Sequence, residues 1–243
     1  MSTPRLSPGR NAVPKHIGIV GCSAEGAALC YRTICAEGAA HLGPHGHPEV
    51  SMHTHSLAAY VDCLDRGDLA GVGDLMLSSA AKLRAAGADF LICPDNTIHQ
   101  AMDWVRPHSP LPWLHIAEVV AAEASARGFR RVGLTGTRWL VESDVYPTAL
   151  RRYGITCVIP QPHERARIGA IILSELVNGI FDPASVALFQ TVISRLKDDE
   201  RCDAVVLGCT EIPLIINDVN ASLPTLDSTR LLARAALAQA VAS

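Results

Sequence analysis

At 243 residues and 49% hydrophobic, the chain is large and apolar enough for one big domain or two of about 110 to 120 residues. A net charge of −3 with no basic patch argues against a nucleic-acid partner. No apolar run reaches the roughly 18 residues that a membrane-crossing helix requires.

Residues 1–14 are polar and contain Pro without the apolar core of a signal peptide, so they read as a disordered tail on a cytoplasmic protein. His16–Val20 is a short apolar strand, Gly21–Gly26 a small-residue loop and Ala27–Glu37 a helix. A loop from His41 leads to a strand at about Glu49–Thr54. Asp74–Ala86 reads as a helix closed by Gly87, Phe90–Cys93 as a strand and Thr97–Val105 as a helix. Trp113–Ile116 is a strand, followed by a helix through Arg127 that ends at Gly128. Arg131–Thr135 is a strand, Glu142–Tyr153 a helix closed by Gly154, and Thr156–Ile159 a strand. Ile168–Asn178 and Pro183–Asp198 are helices, Ala204–Leu207 a strand, and about Glu211–Ile216 a short helix. Leu231–Ala242 is a terminal helix without a counterpart earlier in the chain, expected to pack back on the first half. This alternation predicts an α/β protein with parallel sheets covered by helices on both faces.

The chain also repeats itself. Ala88-Asp89-Phe90-Leu91-Ile92-Cys93-Pro94-Asp95-Asn96-Thr97 aligns without a gap on Cys202-Asp203-Ala204-Val205-Val206-Leu207-Gly208-Cys209-Thr210-Glu211, which sets Asp95 against Cys209. Ile17–Ser23 is echoed by Val132–Thr137, and Leu111–His115 by Leu223–Asp227. Gly18 lies 77 residues before Asp95 and Gly133 lies 76 before Cys209. Landmarks that keep nearly one spacing favour two pseudo-symmetric domains: residues 1–115 with 228–243, and residues 116–227.

Asp95 and Cys209 each follow a buried strand, where α/β proteins keep their chemistry. A carboxylate and a thiol in one symmetric site suit an enzyme that moves protons on carbon. Cys209 is the first candidate acid/base, its pKa expected to be lowered by a following helix N-terminus. Asp95 is the second, as base or as an acid of raised pKa; its competing role is to cap the helix after it. Thr210, Glu211, Asn96 and Thr97 supply donors and orienting groups, and Ser23, Thr135 and Thr137 supply carboxylate-binding loops. His163 is a candidate for the cleft wall. Cys22 is a rival thiol, and His99 serves either the site or the scaffold.

Asp95-Asn96-Thr97-Ile98-His99 with Gly208-Cys209-Thr210-Glu211-Ile212-Pro213 resembles the aspartate/glutamate racemase superfamily, whose scaffold is shared by hydantoin racemases, maleate isomerases and arylmalonate decarboxylases. The resemblance spans nearly the whole chain, including the Gly18–Ser23 loop, Thr135-Gly136-Thr137 and Pro160-Gln161-Pro162. It implies two Rossmann-like domains with the active site in the cleft between them. It also implies cofactor-independent chemistry, without pyridoxal phosphate or metal, and a homodimer. Typical members place a cysteine before Asn-Thr and use one cysteine on each face of the α-carbon; here Asp95 stands there. Cys93, two positions upstream, lies roughly 6–7 Å back along its strand. Many members also carry an arginine, after the first helix, for a distal carboxylate; this chain has His45, His47, His53 and His55 in that region.

The expected activity is therefore racemisation of an acidic or related amino acid between Asp95 and Cys209, on a small carboxylate or amino-acid substrate. Two alternatives stay open: a decarboxylase or cis–trans isomerase of small dicarboxylic acids using Cys209, and a non-catalytic protein that binds a small acid. Two other readings are disfavoured. Five of the ten histidines fall in His41–His55, and His41-x3-His45-x-His47 has zinc-like spacing, but loop histidines without acidic or Cys partners are more often solvated. Gly18-x-x-Gly21 lacks the rest of a nucleotide loop.

Overall fold

The computed structural model describes residues 13–242, so the expected tail at 1–14 falls almost wholly outside the described residues. The first half runs β1 (Ile17–Gly21), α1 (Ala24–Leu42), β2 (Val50–Thr54), α2 (Leu57–Asp65), α3 (Leu69–Ala85), β3 (Phe90–Ile92), α4 (Met102–His108) and β4 (Trp113–Leu114). Next come α5 (Ile116–Ala126), β5 (Arg131–Thr135), α6 (Arg138–Val141), α7 (Val145–Arg151), β6 (Thr156–Val158), α8 (Pro162–Ser174), α9 (Pro183–Asp198), β7 (Ala204–Leu207), β8 (Thr225–Asp227) and α10 (Ser228–Val241).

The strands form two four-stranded parallel sheets of matching order, β2-β1-β3-β4 and β6-β5-β7-β8. Ile19 pairs with Ile92 in the first sheet and Thr135 with Leu207 in the second, so β3 and β7 hold equivalent places beside the first strand of each half. Successive side chains point to opposite faces, so the uninterrupted buried runs of β1, β3 and β7 make both faces of each sheet apolar. On β7, Ala204 and Val206 pack with α5 and α7, while Val205 and Leu207 pack with α8 and α9. On β3, Phe90 and Ile92 pack with α1 and α10, and Leu91 with α3. The terminal helix thus leaves the second sheet at β8 and buries Leu232, Ala233, Ala236 and Ala240 in the core of the first.

Helix ends differ from the sequence expectation where a side chain caps the helix. Ser23 accepts from Gly26 N–H, so α1 begins at Ala24 rather than Ala27, and Asp68 accepts from Gly71 N–H, so α3 begins at Leu69 rather than Asp74. The Gln161–Glu164 capping box starts α8 at Pro162 rather than Ile168. Helix α2 is an addition to the sequence expectation. It places Leu57, Tyr60, Val61 and Leu64, at i, i+3, i+4 and i+7, along one side of a cavity. The short helix expected at Glu211–Ile216 is a three-residue 3-10 turn, Ile212–Leu214.

Candidate active site

Asp95 and Cys209, just past the ends of β3 and β7, line a single cavity of about 60 Å³. Ser23, Asn96, Thr97, Thr137, Thr210 and Glu211 line it too. The polar side is stitched together across the two halves. Ser23 Oγ and Thr210 Oγ1 are 3.1 Å apart, and Thr97 Oγ1 and Thr137 Oγ1 2.9 Å apart. Ser23 and Thr137 are also the N-caps of α1 and α6, so the local rules that start those helices set the hydroxyls at the cavity.

Glu211 is buried, and its Oε2 accepts from both Cys209 Sγ and Thr210 Oγ1, each at 2.9 Å. Since the Thr210 proton goes to Glu211, the Ser23 hydroxyl donates to Thr210 Oγ1, giving the chain Ser23 to Thr210 to Glu211 with Cys209 as the second donor. The Cys209 thiol is pushed well above its ordinary pKa, first by burial and then by the Glu211 charge. This corrects the expectation of a lowered pKa. A 3-10 turn of three residues supplies little dipole, and the nearest charge is an anion. Cys209 therefore rests as a thiol, a proton donor.

Asp95 keeps some exposure to the cavity yet lies deep enough that desolvation raises its pKa, a raise opposed by the Ile98 N–H and reinforced by Glu211. Its Oδ1 accepts from Ile98 N–H at 3.0 Å, so the capping role weighed against a chemical one is present for one oxygen of the pair. Cys22 lines the same cavity, and its thiol sits against the Asp95 carboxyl group; burial and the Asp95 charge push its pKa up. Each carboxylate of the site thus has a thiol beside it. Cys93 is fully buried and does not line the cavity.

Asn96 is held by both halves. Its Oδ1 accepts from Tyr146 OH at 2.6 Å, and its amide donates to Ser228 Oγ at 2.9 Å, which in turn donates to Leu207 O. His99 is a clamp. Ile116 N–H donates to its Nε2 at 3.3 Å, which leaves Nδ1–H to donate to Asp95 O at 2.6 Å. Burial holds its pKa well below the ordinary value, so it stays neutral and ties the Asp95 backbone to the first turn of α5.

Two expected contributors lie elsewhere. Thr135 is fully buried, and its hydroxyl donates to Val206 O, spent on the sheet. His163 is exposed in the first turn of α8 and does not line the cavity. The histidine-rich segment does not line the cavity either: His53 and His55 bond Ser79 and Ser78, and His47 bonds Pro48 O. Among the described residues no group of three His, Cys, Asp or Glu side chains could hold a metal ion. A larger cavity, about 410 Å³, is lined by the continuation of the Thr97–Ala101 turn, α4, α5 and α7. Its Arg106 and Arg152 are both paired with Glu118, and it holds no thiol.

Gly26 makes the cross-half approach possible. A Cβ there would stand 2.6 Å from Thr210 Cγ2 and 2.7 Å from Pro94 O, a backbone atom that cannot swing away. Gly26→Ala is expected to lower stability by about 1–3 kcal/mol in urea unfolding. It should cut turnover by at least about 10-fold as Thr210 leaves its place between Ser23 and Glu211. Wild-type turnover in this variant would remove the close approach from the account of the site.

Two equivalent four-stranded parallel sheets, with an ionisable side chain just past one equivalent strand in each, have the architecture of the two-domain racemase type of α/β protein. The sequence model of the Asp/Glu/Hydantoin racemase family matches residues 17–236, and the chain belongs to that family. It is 26% identical over 163 residues to the broad specificity amino-acid racemase RacX of Bacillus subtilis, covering 65% of this chain and 68% of RacX. A glutamate racemase of Thermus thermophilus is 32% identical over 120 residues, 48% of this chain and 42% of that protein. Among crystal structures, an aspartate racemase homologue from Pyrococcus horikoshii is 26% identical with a TM-score of 0.81, covering 94% of this chain and all of the other.

Proposed function

We propose that the protein is a cofactor-independent racemase of a free amino acid that works by two-base proton transfer, with Asp95 on one face of the α-carbon and Cys209 on the other. The observation that carries this reading is that both groups, each raised in pKa by burial, line one small cavity from pseudo-equivalent strand ends. Abstracting an α-proton needs a strong base, and desolvation strengthens the Asp95 carboxylate once it is ionised. In one direction Asp95 takes the proton and the Cys209 thiol returns one to the opposite face. The products are protonated Asp95 and a Cys209 thiolate, which start the reverse direction. For the α-carboxylate, where negative charge builds up as the α-proton leaves, the Thr97–Thr137 pair has one hydroxyl proton not used within it, and the Ser23 hydroxyl turns from Thr210 to supply a second.

Incubation in D2O with single amino-acid enantiomers, read by proton NMR and chiral chromatography, tests this. The expected result is solvent deuterium at the α-carbon together with the opposite enantiomer. Loss of CO2 or double-bond isomerisation without α-exchange would replace racemisation by the decarboxylase or isomerase alternative.

A further inference from the structure

A second carboxylate on the substrate has nowhere to go. Among the described residues lining the cavity there is no Lys, Arg or His, and the two charged side chains present, Asp95 and Glu211, are both acids. The hydroxyls that bridge the halves lie on one side, as the Ser23–Thr210 and Thr97–Thr137 pairs, and the unspent proton of the second pair, with the Ser23 hydroxyl turned from Thr210, serves one carboxylate. The remaining wall is apolar except for the Tyr60 hydroxyl, a buried neutral group without a hydrogen-bond partner that cannot offset a carboxylate charge, and it comes from both halves. Helix α2 contributes its Leu57–Leu64 stripe, and the end of α8 with the turn after it contributes Ile172, Leu173 and Val177. Trp139 from α6 completes it. Leu57 and Leu173, 39% and 48% exposed, form the rim, and because the cavity of about 60 Å³ is too small to enclose a whole leucine, a substrate side chain would lie across that rim.

We propose that the substrate is a neutral amino acid with an aliphatic or aromatic side chain, read by the apolar wall between α2 and the end of α8, rather than aspartate or glutamate. The inference rests on the racemase reading of the same site. An acidic side chain laid on this wall would be a desolvated charge without a partner, facing two carboxylates, a strongly unfavourable arrangement. A lysine side chain meets the same obstacle from the other sign, because Asp95 and Glu211 sit at the reacting carbon and not along the wall. The α-ammonium, by contrast, would lie at the reacting carbon, within reach of the Asp95 and Glu211 carboxylates.

The test compares leucine, phenylalanine, lysine, aspartate and glutamate in two assays. One is α-proton exchange in D2O by the wild-type protein; the other is calorimetric binding to Cys209→Ala. Leucine or phenylalanine should exchange at least about 100-fold faster than aspartate or glutamate, and bind when the diacids do not. Leu173→Arg, which adds a cation at the rim, should raise the glutamate-to-leucine exchange ratio by about 10-fold or more. Exchange of a diacid or lysine as fast as leucine overturns the assignment, as does preferential binding of a diacid. Binding of leucine without exchange of any amino acid sinks the racemase reading but keeps the side-chain assignment. Absence of both binding and exchange with every neutral amino acid overturns the assignment as well.

Discussion

Cys209→Ala is expected to reduce racemisation by about 10³-fold or more, the scale on which a positioned general acid acts, and to leave the fold intact. The fold should survive because Glu211 keeps its Thr210 donor and no polar group is orphaned. Cys209 carries the acidic proton beside Glu211, and burial next to that carboxylate keeps it protonated through neutral pH. The variant should show more than a lower rate. With Asp95 left alone, a carbanion can only be reprotonated from the side it was formed on. One enantiomer should therefore keep a slow α-exchange without inversion, while the other exchanges hardly at all. Exchange of both enantiomers at similar rates in Cys209→Ala would assign the second face to another group, with the Cys22 thiol beside Asp95 as the first to examine. Loss of stability at neutral pH comparable to the loss of rate would make Cys209 a packing residue.

Much of this arrangement is legible in the sequence because it rests on local rules. The gap-free match of Ala88–Thr97 on Cys202–Glu211 locates both central strands, and the structure places them beside the first strand of equivalent sheets. Asp95 and Cys209 share a cavity as their matched positions imply. What the sequence hides is set by tertiary contact. The i, i+3, i+4, i+7 stripe of α2 sits in a segment bounded by Ser56 and Gly67 and is short enough to be read as loop. Ser23 and Thr137 stand out as loop hydroxyls, but Thr135 looks equally good until its hydroxyl is found bonded to Val206 O. A thiol followed by an acid two residues on gives no sign of its pKa direction. That depends on burial and on Glu211 folding back to 2.9 Å from Sγ. The cap that begins α8 at Pro162 likewise turns His163 outward, where sequence spacing alone leaves it free to face the cleft.

Asp95→Asn should lower racemisation by about 10²-fold or more while making the protein more stable at neutral pH. Asparagine keeps an Oδ1 for the Ile98 N–H, so the turn remains capped and the change isolates the charge. The sign follows from the raised pKa. Below the ordinary carboxylate value of 3.8, Asp95 is protonated in folded and unfolded chains alike and contributes no penalty. As pH rises from there to the raised folded value, the unfolded chain ionises first and the folded state falls behind. Each pH unit of that gap costs about 1.4 kcal/mol, and the penalty is constant once both forms are ionised. The stability gained by Asp95→Asn in urea unfolding should therefore be larger at pH 7.5 than at pH 4.5. Equal gains at both would mean that Asp95 is not desolvated, and unchanged racemisation would reduce it to its cap. The exchange pattern gives an independent check: Asp95→Asn should retain slow non-inverting exchange for the enantiomer that Cys209→Ala loses, because each variant keeps the base of the opposite face. Mirror-image patterns from two substitutions at sequence-matched positions would tie the internal repeat directly to the two faces of the substrate carbon.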